Sequence, residues 1–271
     1  MKLRKRIHTI LSLVRKNYIL SLFVLIVVLV GLVSVFKLAT SENEYVYARI
    51  KVSQGLWWAA TQRPNLWYVR GITKGLKDTV DDTPNAEIIS VRYYPFWNSD
   101  TYDVFVIAKL AVTKNKKTDE YIYDREPLTI ASPIELFFPS VQVSGTVLEF
   151  SEEPIIDTTV EKTVTIIKHL AYPSEYQSIT IGDSYFDGEE KVFEVLSKKS
   201  ENLNAFSIDT TERSVGPSEK RMNVEVQAKI RVYEAGANYL FGQEHIVKLG
   251  KNLNISTPSF IFEEFEVAKI E

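Results

Sequence analysis

Three carboxylates in the second half of this chain have the spacing of a calcium loop. With Asp183 counted as position 1, Asp187 falls at position 5, Gly188 at 6 and Glu194 at 12. Calcium needs several hard oxygen donors at once, which such a loop supplies from one short segment. Position 3 is Tyr185, which has neither carboxylate nor amide to offer. The flanks, Ser178–Ile181 and Val192–Leu196, read as strands rather than helices. A polar Asp/Gly turn between strands is therefore the stronger reading, and Asp183, Asp187 and Glu194 stay as metal candidates.

Aromatic residues form the other conspicuous group. All four tryptophans, Trp57, Trp58, Trp67 and Trp97, lie within 41 positions, together with Tyr68, Tyr93, Tyr94 and Phe96. Core packing is the default use of such residues. A partner-protein surface or a glycan-stacking platform would use them exposed, so the four tryptophans are the candidate contact residues. Hydrolytic chemistry has fewer supports. His169 and His245 are the imidazoles of the chain's main body, and neither lies in a nucleophile-elbow or zincin pattern. No glycine-rich phosphate loop occurs. A carboxylate-pair glycosidase stays open, because the fold and not the spacing sets such pairs. The Asp78, Asp81 and Asp82 group beside Pro84-Asn85 reads as a solvated loop.

Composition limits the classes further. There is no cysteine, which excludes disulfides, thiolate metal sites and cysteine nucleophiles. The whole chain carries −3, but the basic residues concentrate at the start. Removing the seven before residue 38 leaves 25 against 35 acids, a net −10 for residues 38–271. An acidic body is a poor nucleic-acid binder.

The elements that must position these residues are mainly β. Tyr45–Val52 and Val224–Val232 alternate apolar and polar residues, the pattern of sheets with one face buried. Turn residues separate such runs at Asn115-Lys116-Lys117, Ala235–Asn238 and Leu249–Asn252. Short helices are allowed near Trp57–Gln62 and Pro173–Gln177.

An internal repeat organises the body. Ala108-Lys109-Leu110 matches Ala228-Lys229-Ile230 at an offset of 120 residues. Tyr123-Asp124-Arg125-Glu126 matches Phe241-Gly242-Gln243-Glu244 at 118, and Pro139-Ser140 matches Pro258-Ser259 at 119. Arg49-Ile50-Lys51-Val52 aligns with Ile166-Ile167-Lys168-His169 at 117. The reading is two tandem, internally duplicated barrel- or sandwich-like β domains, 44–152 and 160–271, joined near Ser151–Thr159. Lys198–Arg221 is expected to be an exposed loop.

Ahead of them, Tyr18–Phe36 holds nineteen residues without a charge, and residues 1–17 are a basic tail. Nineteen helical residues span about 28 Å, close to a bilayer core. Residues 18–38 are therefore expected to be a transmembrane helix in the lipid bilayer, with the N-terminus cytoplasmic and the body extracytoplasmic. A cleaved signal peptide is the alternative, with Ala39-Thr40-Ser41 at a suitable spacing.

The order Ile181-Gly182-Asp183, Asp187-Gly188, Val192–Val195, then a hairpin and Leu249-Gly250, resembles an uncharacterised bacterial family of membrane-anchored β-domain proteins, a domain of unknown function. The resemblance covers Val160–Ile270 well and Glu44–Phe150 loosely, with Arg70-Gly71-Ile72 standing in for the Gly-Asp turn. It implies no catalytic residues. Taken together, the sequence predicts a non-enzymatic interaction or assembly module of the cell envelope, without a cofactor, working with a protein partner or as a homo-oligomer. A cell-wall glycan binder is second, an envelope hydrolase third.

Overall fold

The computed structural model describes residues 22–23, 26–32, 44–53, 63–80, 83–96, 100–115, 117–202 and 221–271. The first half contains β1 (Glu44–Ser53), α1 (Leu66–Gly71), β2 (Lys77–Val80), β3 (Thr83–Pro95) and β4 (Tyr102–Asn115). It continues with β5 (Glu120–Tyr123), β6 (Glu126–Pro127), β7 (Pro133–Phe137) and β8 (Gln142–Ser151). The second half contains β9 (Thr159–Ala171), α2 (Pro173–Ser178), β10 (Ser184–Phe186), β11 (Lys191–Asn202) and β12 (Met222–Ala235). It ends with β13 (Asn238–Phe241), β14 (His245–Val247), β15 (Ile255–Ser256), β16 (Ile261–Phe262) and β17 (Glu266–Ile270).

Alternation decides the inner faces. On β1, Val46, Ala48, Ile50 and Val52 are buried; on β12, Val224, Val226, Ala228, Ile230 and Val232 are buried, with polar residues between. Burying these rows is the main source of stability, at roughly 25 cal/mol per Å² of apolar surface.

The halves share one pairing plan. In the first, β4 pairs with β3, β1 and β5, β1 pairs with β8, and β8 pairs with β7. In the second, β12 pairs with β11, β9 and β13, β9 pairs with β17, and β15 pairs with β16. Irregularities coincide too. Gly75 and Gly182 have φ of 84° and 86°, and Ala131 and Gly250 of 67° and 76°. Asp124-Arg125 and Gly242-Gln243 both turn with positive φ, the left-handed backbone that a tight hairpin needs.

The structure changes two details of the repeat. Ile50 pairs with Val147, and Ile166 with Val267, so Ile50 corresponds to Ile166 rather than Ile167. A one-residue slip would put the inner row outside. The counterpart of Gly182-Asp183 is Gly75-Leu76, not Gly71-Ile72. Gly75 N–H donates to Ile88 O and Gly182 N–H to Val195 O, both at 2.8 Å. Gly71 instead closes helix α1.

The transmembrane part of the expected fold is corrected. In Tyr18–Phe36, helix is described at 22–23 and 26–32, and the rest of that run lies outside the described residues. Among the described residues, no helix is long and apolar enough to cross a membrane. The expected helix at Pro173–Gln177 is α2; the one at Trp57–Gln62 lies outside the described residues. The loop expected from Lys198 starts later, because β11 runs to Asn202 against Met222 of β12.

Tyr45–Glu271 forms one compact unit. Tyr94 and Phe105, from β3 and β4, are buried in the apolar cluster of the second half beside Phe193, Phe241 and Ile230. A separate cluster fills the first half, around Ile50, Ile88, Val104, Leu110 and Leu136.

Candidate functional site: the seam between the halves

The seam begins with a bulge. The β3–β4 register shifts between Ile88 and Ser90, which changes parity along β3. Val91 and Tyr93 then continue the inner face, while Arg92 and Tyr94 turn outward. Arg92 pairs across from Phe105 and Tyr94 from Asp103. On β1 the outward residues are Arg49 and Lys51. The outer face of the first sheet therefore carries Arg49, Lys51 and Arg92 around two aromatic rings.

The second half answers with acids. Asp187, fully buried, accepts hydrogen bonds from Arg92 Nη1 at 2.6 Å and Tyr94 Oη at 2.8 Å. Its other oxygen accepts from the Glu189 and Glu190 backbone N–H groups, at 3.0 and 2.9 Å. Arg92 also donates to Asp157 at 2.9 Å and Glu190 at 2.9 Å. Asp157, in the connection between the halves, accepts from Arg49 at 2.6 Å as well. Glu190 in turn pairs with Arg231 on β12.

Backbone contacts lock the same place. Tyr93 N–H donates to Asp187 O, and Tyr185 Oη donates to Tyr93 O, both at 2.8 Å. A Cβ on Gly188 would lie 2.7 Å from Val91 O and 2.8 Å from the Tyr93 ring, at a φ of 106°. Only glycine lets the two chains approach this closely.

Electrostatics keep these groups in their present forms. Burial and the adjacent Asp187 push the Tyr94 hydroxyl far above its usual range, so it stays a donor. Burial works against the Arg92 charge, but Asp187 outweighs it and raises the guanidinium pKa. Burial also raises Tyr185.

A second cluster lies along the seam at Asp103, which is 2% exposed. Its Oδ1 accepts from Arg63 Nε at 2.9 Å and lies 3.6 Å from Lys51 Nζ. Oδ2 has no hydrogen-bond partner; His245 Nε2 of β14 lies 3.8 Å away, an ion-pair distance. Burial raises the carboxyl, but His245, Lys51 and Arg63 outweigh it and hold Asp103 below the usual carboxylate range. Lys51 bridges to Glu244, and Arg63 lies over the Phe96 ring at 3.4 Å. The arrangement staples β14 to the first sheet.

The structure separates the metal candidates. Asp187 is consumed by Arg92 and Tyr94. Asp183 accepts from Thr257 and Ser259, and Glu194 pairs with Lys191 at 2.7 Å. The loop is a strand-to-strand turn, so these oxygens do not converge. Among the described residues no group of three or more acidic, histidine or cysteine side chains could hold a metal ion.

Of the aromatic candidates, Trp67 on α1 is 68% exposed and packs edge-on to Tyr68. Trp57, Trp58 and Trp97 lie outside the described residues. Tyr94, noted in the sequence only as one aromatic among several, is a seam residue.

The chain matches no family model, no curated protein and no solved structure. Arg49, Arg92, Asp157 and Glu190 were not legible as functional residues. A cation on the outer side of a strand looks like any solvated charge until the covering half is placed. One signal was available: Arg92 stands between Val91 and Tyr93 in a run that its neighbours make apolar.

Proposed function

We propose that this chain is a non-enzymatic interaction module in which two duplicated β halves act as one rigid body. The observation that carries the reading is the seam. Its buried Asp187, Arg92 and Tyr94 are committed to one another and to backbone, which suits fixing geometry rather than turning over a substrate. A rigid body with open sheet edges presents surfaces to a partner at little ordering cost. Native mass spectrometry of complexes isolated by crosslinking from the source cells tests it. A stoichiometric protein partner, or a defined homo-oligomer, is the expected result. A chain recovered only as a monomer, or one with hydrolytic turnover on a wall-polymer panel, would sink the reading.

The exposed Trp67 favours a second reading, glycan stacking. Retention on insoluble wall glycan, abolished by Trp67→Ala, would replace the first.

A further inference from the structure

The first half is an unclosed barrel. Strands β6, β5, β4, β1, β8 and β7 form a continuous ribbon, with β6 and β7 as its two ends. A cavity of about 320 Å³ lies between those ends. Its walls come from both: Tyr123, Pro127 and Leu128 on one side, Ile134, Glu135 and Phe137 on the other.

Among the described residues, strand β7 pairs only with β8. The Phe138 N–H donates to Val141 O, and alternation then turns Ile134 and Leu136 toward β8. The N–H and C=O groups of Glu135 and Phe137 point outward, along the gap. Pro133 has no N–H and shortens the usable edge, the usual guard against indiscriminate pairing. What is left is a two-residue docking edge beside a side-chain pocket. Phe137 stands 51% exposed at its rim.

Charge decides the occupant. Asp124, Glu126 and Glu135 line the gap, and Asp78 lies near enough to Asp124 to be raised by it, after burial. None of the four has an ion pair among the described residues, unlike the acids of the seam. Arg125, at the tip of the β5–β6 turn, and Lys77, which pairs with Glu87 at 3.3 Å, are the cations beside them in sequence. The Tyr123, Leu128 and Ile134 walls suit the aliphatic stem of a long basic side chain, with acids placed for its head.

We propose that the gap between β6 and β7 docks an extended segment of a partner protein, pairing with the Glu135–Phe137 edge and placing a lysine or arginine side chain in the cavity. The inference rests on the interaction-module reading and names its surface and partner chemistry. The mode is strand addition, in which the edge gives affinity and the pocket gives specificity.

The test uses the full chain and immobilised acetylated pentapeptides that alternate valine with lysine, arginine, glutamate or alanine. A peptide of residues Met1–Asn17 is included. Lysine or arginine peptides are expected to bind at least tenfold more tightly than glutamate or alanine ones. Phe137→Pro removes an outward N–H without touching the β8 ladder and should lower binding at least tenfold, as should Glu135→Lys. Circular dichroism melts of both variants should match the parent.

Equal binding of all peptides, or binding unchanged by Phe137→Pro, would overturn the proposal. Tightest binding by the Met1–Asn17 peptide would also overturn it, because the occupant would then be the chain itself. The two readings fail separately. A native partner complex that survives both substitutions sinks the groove and keeps the module; absence of any complex sinks the module.

Discussion

Asp187→Asn is the most direct probe of the seam. It preserves volume and can still accept the Glu189 and Glu190 N–H bonds. It replaces the carboxylate facing Arg92 and Tyr94 with a neutral amide, which removes the attraction to a guanidinium only 12% exposed. Breaking a buried ion pair from one side costs about 3–5 kcal/mol. Arg92 keeps Asp157 and Glu190 as partners, so the lower end, about 3 kcal/mol, is expected. Tyr94→Phe deletes one hydroxyl donor to the same oxygen and should cost about 1–2 kcal/mol. Urea unfolding of residues 44–271, followed by circular dichroism and tyrosine fluorescence, measures both. A cycle with Arg92→Met should show a coupling of at least about 1.5 kcal/mol, as close interfacial charge pairs do. If Asp187→Asn costs under about 1 kcal/mol, or the coupling vanishes, the buried pair does not hold the halves together.

Gly188→Ala should destabilise by at least about 2 kcal/mol, because its Cβ meets Val91 O at a left-handed φ; a neutral melt shift would refute the close approach. Asp103 has a lowered folded-state pKa, so its contribution is complete above the unfolded value near 3.9 and is lost as pH falls through the folded one. Asp103→Asn should flatten the stability profile below about pH 4 in acid titrations of urea unfolding, and an unchanged profile counts against the cluster. Calcium titration should give no saturable heat and no melt shift; micromolar binding lost in Asp187→Ala would restore the calcium loop. Trp67→Phe should remove a component of fluorescence that acrylamide quenches readily, given its exposure; unaltered quenching would place that indole in a contact.

Several features were legible because they are local. Alternation in Tyr45–Val52 and Val224–Val232 predicts strands with one buried face, since the side-chain period of a strand is two. Pro139-Ser140 and Pro258-Ser259 match as turns, with Phe138 N–H to Val141 O and Thr257 N–H to Phe260 O. The Asp187-Gly188 turn is legible as a turn, though not as a pin. The sequence match of Ile50 with Ile167 is one residue off, because apolar identity tolerates a slip that hydrogen-bond register does not.

By itself, then, the sequence determined a disulfide-free, acidic, mainly β body with repeated turn and strand signals, because composition and period are properties of neighbouring residues. Only the tertiary structure decided which outward charges are buried. Arg92 and Asp187 are 95 residues apart and meet at 2.6 Å, a pairing no local period encodes. The same holds for the gap at β7, since an edge exists only once every other strand has found its partner. Asp183, Asp187 and Glu194 are an instance. Their spacing fitted calcium, but hydrogen bonding to Arg92, Thr257 and Lys191 sends the three apart.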